Sequence, residues 1–133
     1  MDKKRALIYN KFGGFCAYCG CELNGKFQVD HVIPQALFWN HVRYKKRVPS
    51  FLSHLNESDL NHPDNLVPAC QSCNNYKSTM DIETFRSELG KLVERLNKNS
   101  TQYRIAKRYG MVEEKEIKIK FYFEKFISSQ NPT

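Results

Sequence analysis

Residues 70–77 read Cys70-Gln71-Ser72-Cys73-Asn74-Asn75-Tyr76-Lys77, or CQSCNNYK, and the reading of the whole fold starts from them. Cys70 and Cys73 have the spacing of a metal knuckle, and a second pair, Cys16 and Cys19, lies upstream with 50 residues between the pairs. Each Cys-x-x-Cys turn can aim two thiolates at one point, and two turns complete the closed tetrahedral set of a structural zinc ion. One Zn²⁺ held by Cys16, Cys19, Cys70 and Cys73 is therefore expected. Cys21, two residues from Cys19, is poorly spaced for joint ligation and reads as a small buried residue.

A shared ion has a consequence for the chain between the pairs. It pulls residues 16–19 against 70–73, so the segment after the first knuckle lies near the segment before the second. Lys26–Ile33 reads as a strand, with Phe27, Val29 and His31 on one face and Gln28 and Asp30 on the other. Leu66 and Val67 suggest a second short strand, ended by Pro68. The two become hairpin partners, and Asp30-His31 then approaches Asn74 at the start of the following helix.

Outside this region the pattern is mostly helical. Residues 3–12 suit a short helix stopped by Gly13-Gly14, and Gly20 suits the tight turn of the first knuckle. Ser78 and Asp81 fit a capping box, followed by Ile82, Phe85, Leu89, Leu92, Val93 and Leu96 as a helical stripe that reads as core. A further helical piece, about 100–109, stops at Gly110. In EIKIKFYF, residues 116–123, Ile117, Ile119, Phe121 and Phe123 alternate with Lys118, Lys120 and Tyr122, which predicts a half-buried terminal strand.

Composition narrows the class. A chain of 133 residues with 41% hydrophobic content suits one domain with a modest core. The formal charge of +7, from 21 Lys and Arg against 14 Asp and Glu, favours a polyanionic partner. There is no apolar run of membrane-spanning length, so no membrane partner is expected. The start, MDKKRALIYNKF, lacks the apolar stretch of a signal peptide. The expected location is the cytoplasm, where cysteines stay reduced and favour metal over disulfides.

In the order CAYCG, QVDHVIPQ, DNLVPACQSCNN and YK, from Cys16 to Lys77, the chain resembles the HNH endonucleases. The matching pieces lie within roughly half the sequence, and residues 36–62 match nothing in that family. The resemblance implies an α+β fold: a zinc-stapled ββα-metal (His-Me finger) core over 12–80, with C-terminal helices and a terminal strand over 81–133. All of it would form a single domain, 1–133. It also implies hydrolysis of phosphodiester bonds in DNA, most naturally double-stranded, with one Mg²⁺ or Mn²⁺ ion.

Carried onto this sequence, the family's roles fall as follows. His31 resembles the general base, and a histidine's ordinary pKa near 6.5 suits that task. Asp30 resembles a ligand of the catalytic ion, and Asn65 the asparagine that braces the loop and orients the base. Asn74 takes the third position, usually His and sometimes Asn, as the second ligand. Two oxygen donors, Asp30 and Asn74, favour Mg²⁺ or Mn²⁺ over zinc at that site. Lys77, one helical turn on, is expected to contact a substrate phosphate.

The loop VRYKKR lies between base and brace. Its Arg43, Lys45, Lys46 and Arg47, interleaved with Phe38, Trp39 and Tyr44, are expected to neutralise phosphates and support stacking on bases. His41, His54 and His62 lack the setting of His31 and read as surface residues, His62 being the nearest of them to Asn65. The rival reading is a catalytically inactive zinc-ribbon module that only binds nucleic acid. A homodimer would place two cuts on two strands.

Overall fold

The computed structural model describes residues 1–38 and 48–130. The chain is a mixed α+β protein. Helix α1 (Lys3–Asn10) starts at Asp2, whose carboxylate accepts a hydrogen bond from Arg5 N, and buries Ile8 while leaving Leu7 exposed. It ends before Gly13 and Gly14, both at positive φ. Residues 15–22 then form the first knuckle. It is closed by a bridge between Phe15 and Glu22 and a hydrogen bond from Cys16 N to Cys21 O. Gly20 is required there twice over, since its φ is 78° and an added Cβ would lie 2.6 Å from the Tyr122 ring.

Strand β1 (Gln28–His31) pairs antiparallel with β2 (Leu66–Ala69), with His31 opposite Leu66 and Asp30 opposite Val67. The hairpin partnership expected from the shared metal is therefore present, in a two-stranded sheet. Pro68 does not end the second strand; it pairs with Val29. A strand in so narrow a sheet has one edge without a ladder, where a missing N–H does no harm. The Pro68 carbonyl is still used, accepting from Ala17 N at 2.8 Å. Among the described residues between the strands lie a short helix α2 (Gln35–Phe38) and three single 3₁₀ turns, Ser50–Leu52, Glu57–Asp59 and Pro63–Asn65.

Directly after β2 comes α3 (Gln71–Lys77), capped by the Cys70 sulfur, which accepts from Cys73 N. Helix α4 (Ile82–Gly90) follows, and its cap is Asp81 rather than the expected Ser78. Ser78 instead sits at φ 49° as a turn residue. The predicted stripe is broken at Lys91 into α4 and α5 (Leu92–Asn99). Ile82 and Phe85 are in the core, whereas Val93 and Leu96 are exposed. Helix α6 (Thr101–Arg108) is capped by the Ser100 hydroxyl.

The predicted strand at 116–123 is not formed. Residues 112–121 are irregular, Ile117 is 70% exposed, and helix α7 (Tyr122–Gln130) starts inside the alternating run. The alternation arose because Phe121 and Phe123 both enter the core at the helix start. Tyr18 meets Phe85 and Phe121 edge-on at 5.4 and 5.6 Å, and Phe121 stacks on both Phe85 and Phe123. Tyr122 N and Phe123 N donate to the carbonyls of Tyr18 and Ala17, so the C-terminal segment covers the first knuckle.

Arg86 of α4 fastens that cover. It forms two 2.8 Å bonds to the Glu124 carboxylate, donates to Ile119 O, and lies over the Phe121 ring. Burial would raise the Glu124 carboxyl, but the bonds from Arg86 and Phe121 N outweigh it and hold the group below its usual 4.5. Arg86→Ala should cost about 1–3 kcal/mol in urea denaturation at neutral pH. A carboxyl depressed on folding stabilises above its unfolded pKa and loses that contribution as pH falls through the folded one. The gap between wild type and Arg86→Ala should therefore close progressively below about pH 4.5.

Candidate functional site

The two knuckles meet as the spacing requires. The thiol sulfurs of Cys16, Cys19, Cys70 and Cys73 all lie within 4.8 Å of one another, close enough to bind a metal ion such as zinc. A tetrahedral ion with Zn–S bonds near 2.3 Å needs sulfurs about 3.8 Å apart. Cys19 and Cys70 stand at 3.8 Å.

Electrostatics agree with a site that wants a cation. The bond from Cys73, helped by backbone N–H groups of Cys70, Cys19 and Tyr18, brings the Cys16 thiol down to about 4 against the effect of burial. Its bond to Cys16, and then burial, push the Cys73 thiol up, and burial pushes Cys19 up to about 12. Four thiolates this close together would repel one another, and a divalent cation would offset that charge. Cys21 is exposed, contrary to the expectation that it is buried, and contributes its backbone carbonyl to the knuckle.

Asp30 sits in β1 at the join between this cluster and the sheet. It is buried, and its Oδ2 accepts a hydrogen bond from the Tyr18 hydroxyl and lies 3.1 Å from the Lys77 ammonium. Burial, then the Asp30 charge, push Tyr18 well above its usual value, so its hydroxyl keeps the proton it donates. Lys77 is fully buried and donates to the His31 carbonyl at 2.9 Å, drawing α3 against β1. Burial lowers its pKa, with Asp30 and Asp81 opposing. A phosphate contact from Lys77 is excluded by this geometry, because no part of the side chain reaches solvent.

Asn65 has no solvent exposure and makes three hydrogen bonds with one amide. Its Oδ1 accepts from Ile33 N at 2.7 Å, and its Nδ2 donates to Ile33 O and Leu60 O at 3.1 and 2.9 Å. It thus joins the turn after His31 to the turn before β2, which is a bracing geometry. Asn74 is half-buried inside α3, one turn before Lys77, and the cap position it might have filled belongs to Cys70. Its amide makes no hydrogen bond among the described residues.

His31 is half-buried, and its Nε2 lies 2.9 Å from Asn61 Oδ1. Nothing in the sequence singled out Asn61, and Tyr18 was visible only as a residue between two cysteines. His62 accepts from Asp64 N as the cap of the Pro63–Asn65 turn, and His54 pairs with Asp64 at 2.8 Å. Both have local partners away from His31. Arg43, Lys45, Lys46 and Arg47, with Trp39, His41 and Tyr44, lie outside the described residues. Among the described residues no helix is long and apolar enough to cross a membrane.

A scan against protein-family models, a search of curated proteins and a search of solved structures found no match to this chain. Two measurements follow from the site itself. Purified protein should carry about one zinc per chain by elemental analysis, retained in Cys21→Ser and lost in Cys16→Ser or Cys73→Ser. Asp30→Ala leaves the Lys77 ammonium buried without its carboxylate and should cost about 3–5 kcal/mol. The double variant Asp30→Leu/Lys77→Met should cost much less, as read by urea denaturation.

Proposed function

We propose that this chain is a metal-dependent DNA endonuclease of the HNH type, hydrolysing phosphodiester bonds with His31 as general base. The observation that carries the reading is the order β1, β2, α3, with Lys77 of α3 bonded back to the His31 carbonyl. That arrangement draws together the elements bearing Asp30, His31 and Asn74, beside a thiol cluster suited to a structural zinc. That relation supports a reading as a ββα-metal core.

The donors fit a hard divalent ion. Asp30 keeps Oδ1 free of Tyr18 and Lys77, which both engage Oδ2, and the Asn74 amide has no competing hydrogen bond among the described residues. Asp30 and Asn74 would hold Mg²⁺ or Mn²⁺ through oxygen. When bound, the ion would offset charge growing on the phosphate and on the departing 3′ oxygen. His31 would take the proton of the attacking water, and Asn65 would keep the turn after β1 in register with the turn before β2. Phosphate contacts fall to the basic loop at 43–47 rather than to Lys77.

One observation favours the catalytically inactive zinc-ribbon module instead: the Asp30 charge is already shared with Lys77, which weakens its pull on a metal ion. Supercoiled plasmid separates the readings. Wild type with Mg²⁺ or Mn²⁺ should nick it, EDTA should stop the reaction, and His31→Ala should lose roughly 100-fold or more in rate. Undiminished cleavage by His31→Ala would overturn the assignment of the base. DNA binding without cleavage by zinc-loaded wild type would establish the module.

A further inference from the structure

We infer that Asn61 is a positioning residue for His31: its side-chain carbonyl holds the imidazole as the Nε2–H tautomer and leaves Nδ1 as the basic nitrogen. This rests on the reading of His31 as the base. A neutral imidazole has one donor nitrogen and one acceptor, and a carbonyl oxygen only accepts. With Asn61 Oδ1 at 2.9 Å from Nε2, the proton belongs on Nε2 and the lone pair on Nδ1. Nδ1 makes no hydrogen bond among the described residues, so it is the nitrogen left for a water proton.

The pair is 30 positions apart in sequence and exposed, where a lone hydrogen bond contributes little order. What fixes it is Asn65. One buried amide grips Ile33, two residues after His31, and Leu60, the residue before Asn61. Asn65 N also bonds His62 O, and Val32 N bonds Asn65 O, so backbone on both sides of the His31–Asn61 contact is tied to the same residue. Asn65 therefore orients the base indirectly, by setting the distance across which Asn61 reaches it. The reverse amide orientation would place an N–H against Nε2 and force the proton to Nδ1, leaving the lone pair engaged by Asn61.

The test needs a readout independent of cleavage. Long-range ¹H–¹⁵N spectra of zinc-loaded wild type at pH 8 should show His31 as a single Nε2–H tautomer. Asn61→Ala should show an exchanging mixture. Asn61→Asp, which keeps an acceptor oxygen in place, should recover the single tautomer. In plasmid cleavage, Asn61→Ala should lower kcat roughly 10–100-fold with KM unchanged, and Asn61→Asp should be faster than the alanine variant. An Nδ1–H tautomer in wild type, or an alanine variant with tautomer and kcat both unaltered, would overturn the proposal. If wild type cleaves nothing, the nuclease reading fails, and the spectra still decide whether Asn61 sets the tautomer.

Discussion

The Lys77 amine, sealed from solvent beside the Asp30 carboxylate, is the constraint around which the centre of this protein is built. Desolvating an ammonium costs several kcal/mol unless its donors are matched. Here they meet the Asp30 carboxylate, the His31 carbonyl and the face of the Tyr18 ring. Those partners come from β1 and from the first knuckle, while the lysine comes from the helix that leaves the second. Satisfying one buried charge thus requires all three pieces to be in place together. An apolar residue at 77 would fill the space, but it would not specify which backbone carbonyl faces the helix.

The thiol cluster works on the same pieces from the other side. Cys16 and Cys19 precede β1 while Cys70 and Cys73 follow β2, so an ion shared among them would close the hairpin at its open end. The C-terminal segment then covers the knuckle through Phe121 and Phe123, held by Arg86 and Glu124. Without that cover the Tyr18 ring would lose its edge-on partner in Phe121, and its hydroxyl is what donates to Asp30. Packing at the C-terminus is in this way continuous with the polar centre.

Much of this arrangement was legible because cysteine pairs carry their geometry with them. Two Cys-x-x-Cys turns fix a distance of a few ångströms between segments 50 residues apart, and the pairing of β1 with β2 follows. Asn65 was legible as a brace only through the resemblance; alone, it would pass for a turn residue after Pro63-Asp64. Lys77 was misread because lysine is almost always exposed, and only three-dimensional context reveals the carboxylate that permits its burial. The 116–123 run was misread for a different reason. A period of two marks a strand only where a ladder partner exists, and here two phenylalanines at a helix start imitate it. Asn61 gave no signal at all, since its contact with His31 joins side chains 30 positions apart in sequence.

Asp30 is where these considerations compete. As a structural residue it must stay bonded to Lys77; as a metal ligand it must offer an oxygen to the ion. Tyr18 and Lys77 both engage Oδ2, so among the described residues the contacts of these two partners do not use Oδ1. The division carries a cost, since a carboxylate already neutralised in part attracts a second cation less strongly. An ion held by such a carboxylate and a neutral amide would bind weakly and depend on substrate phosphate to complete its shell. Under the proposed function, the Asp30–Lys77 pair would hold the centre together without the ion, and the ion would be recruited with the nucleic acid rather than before it.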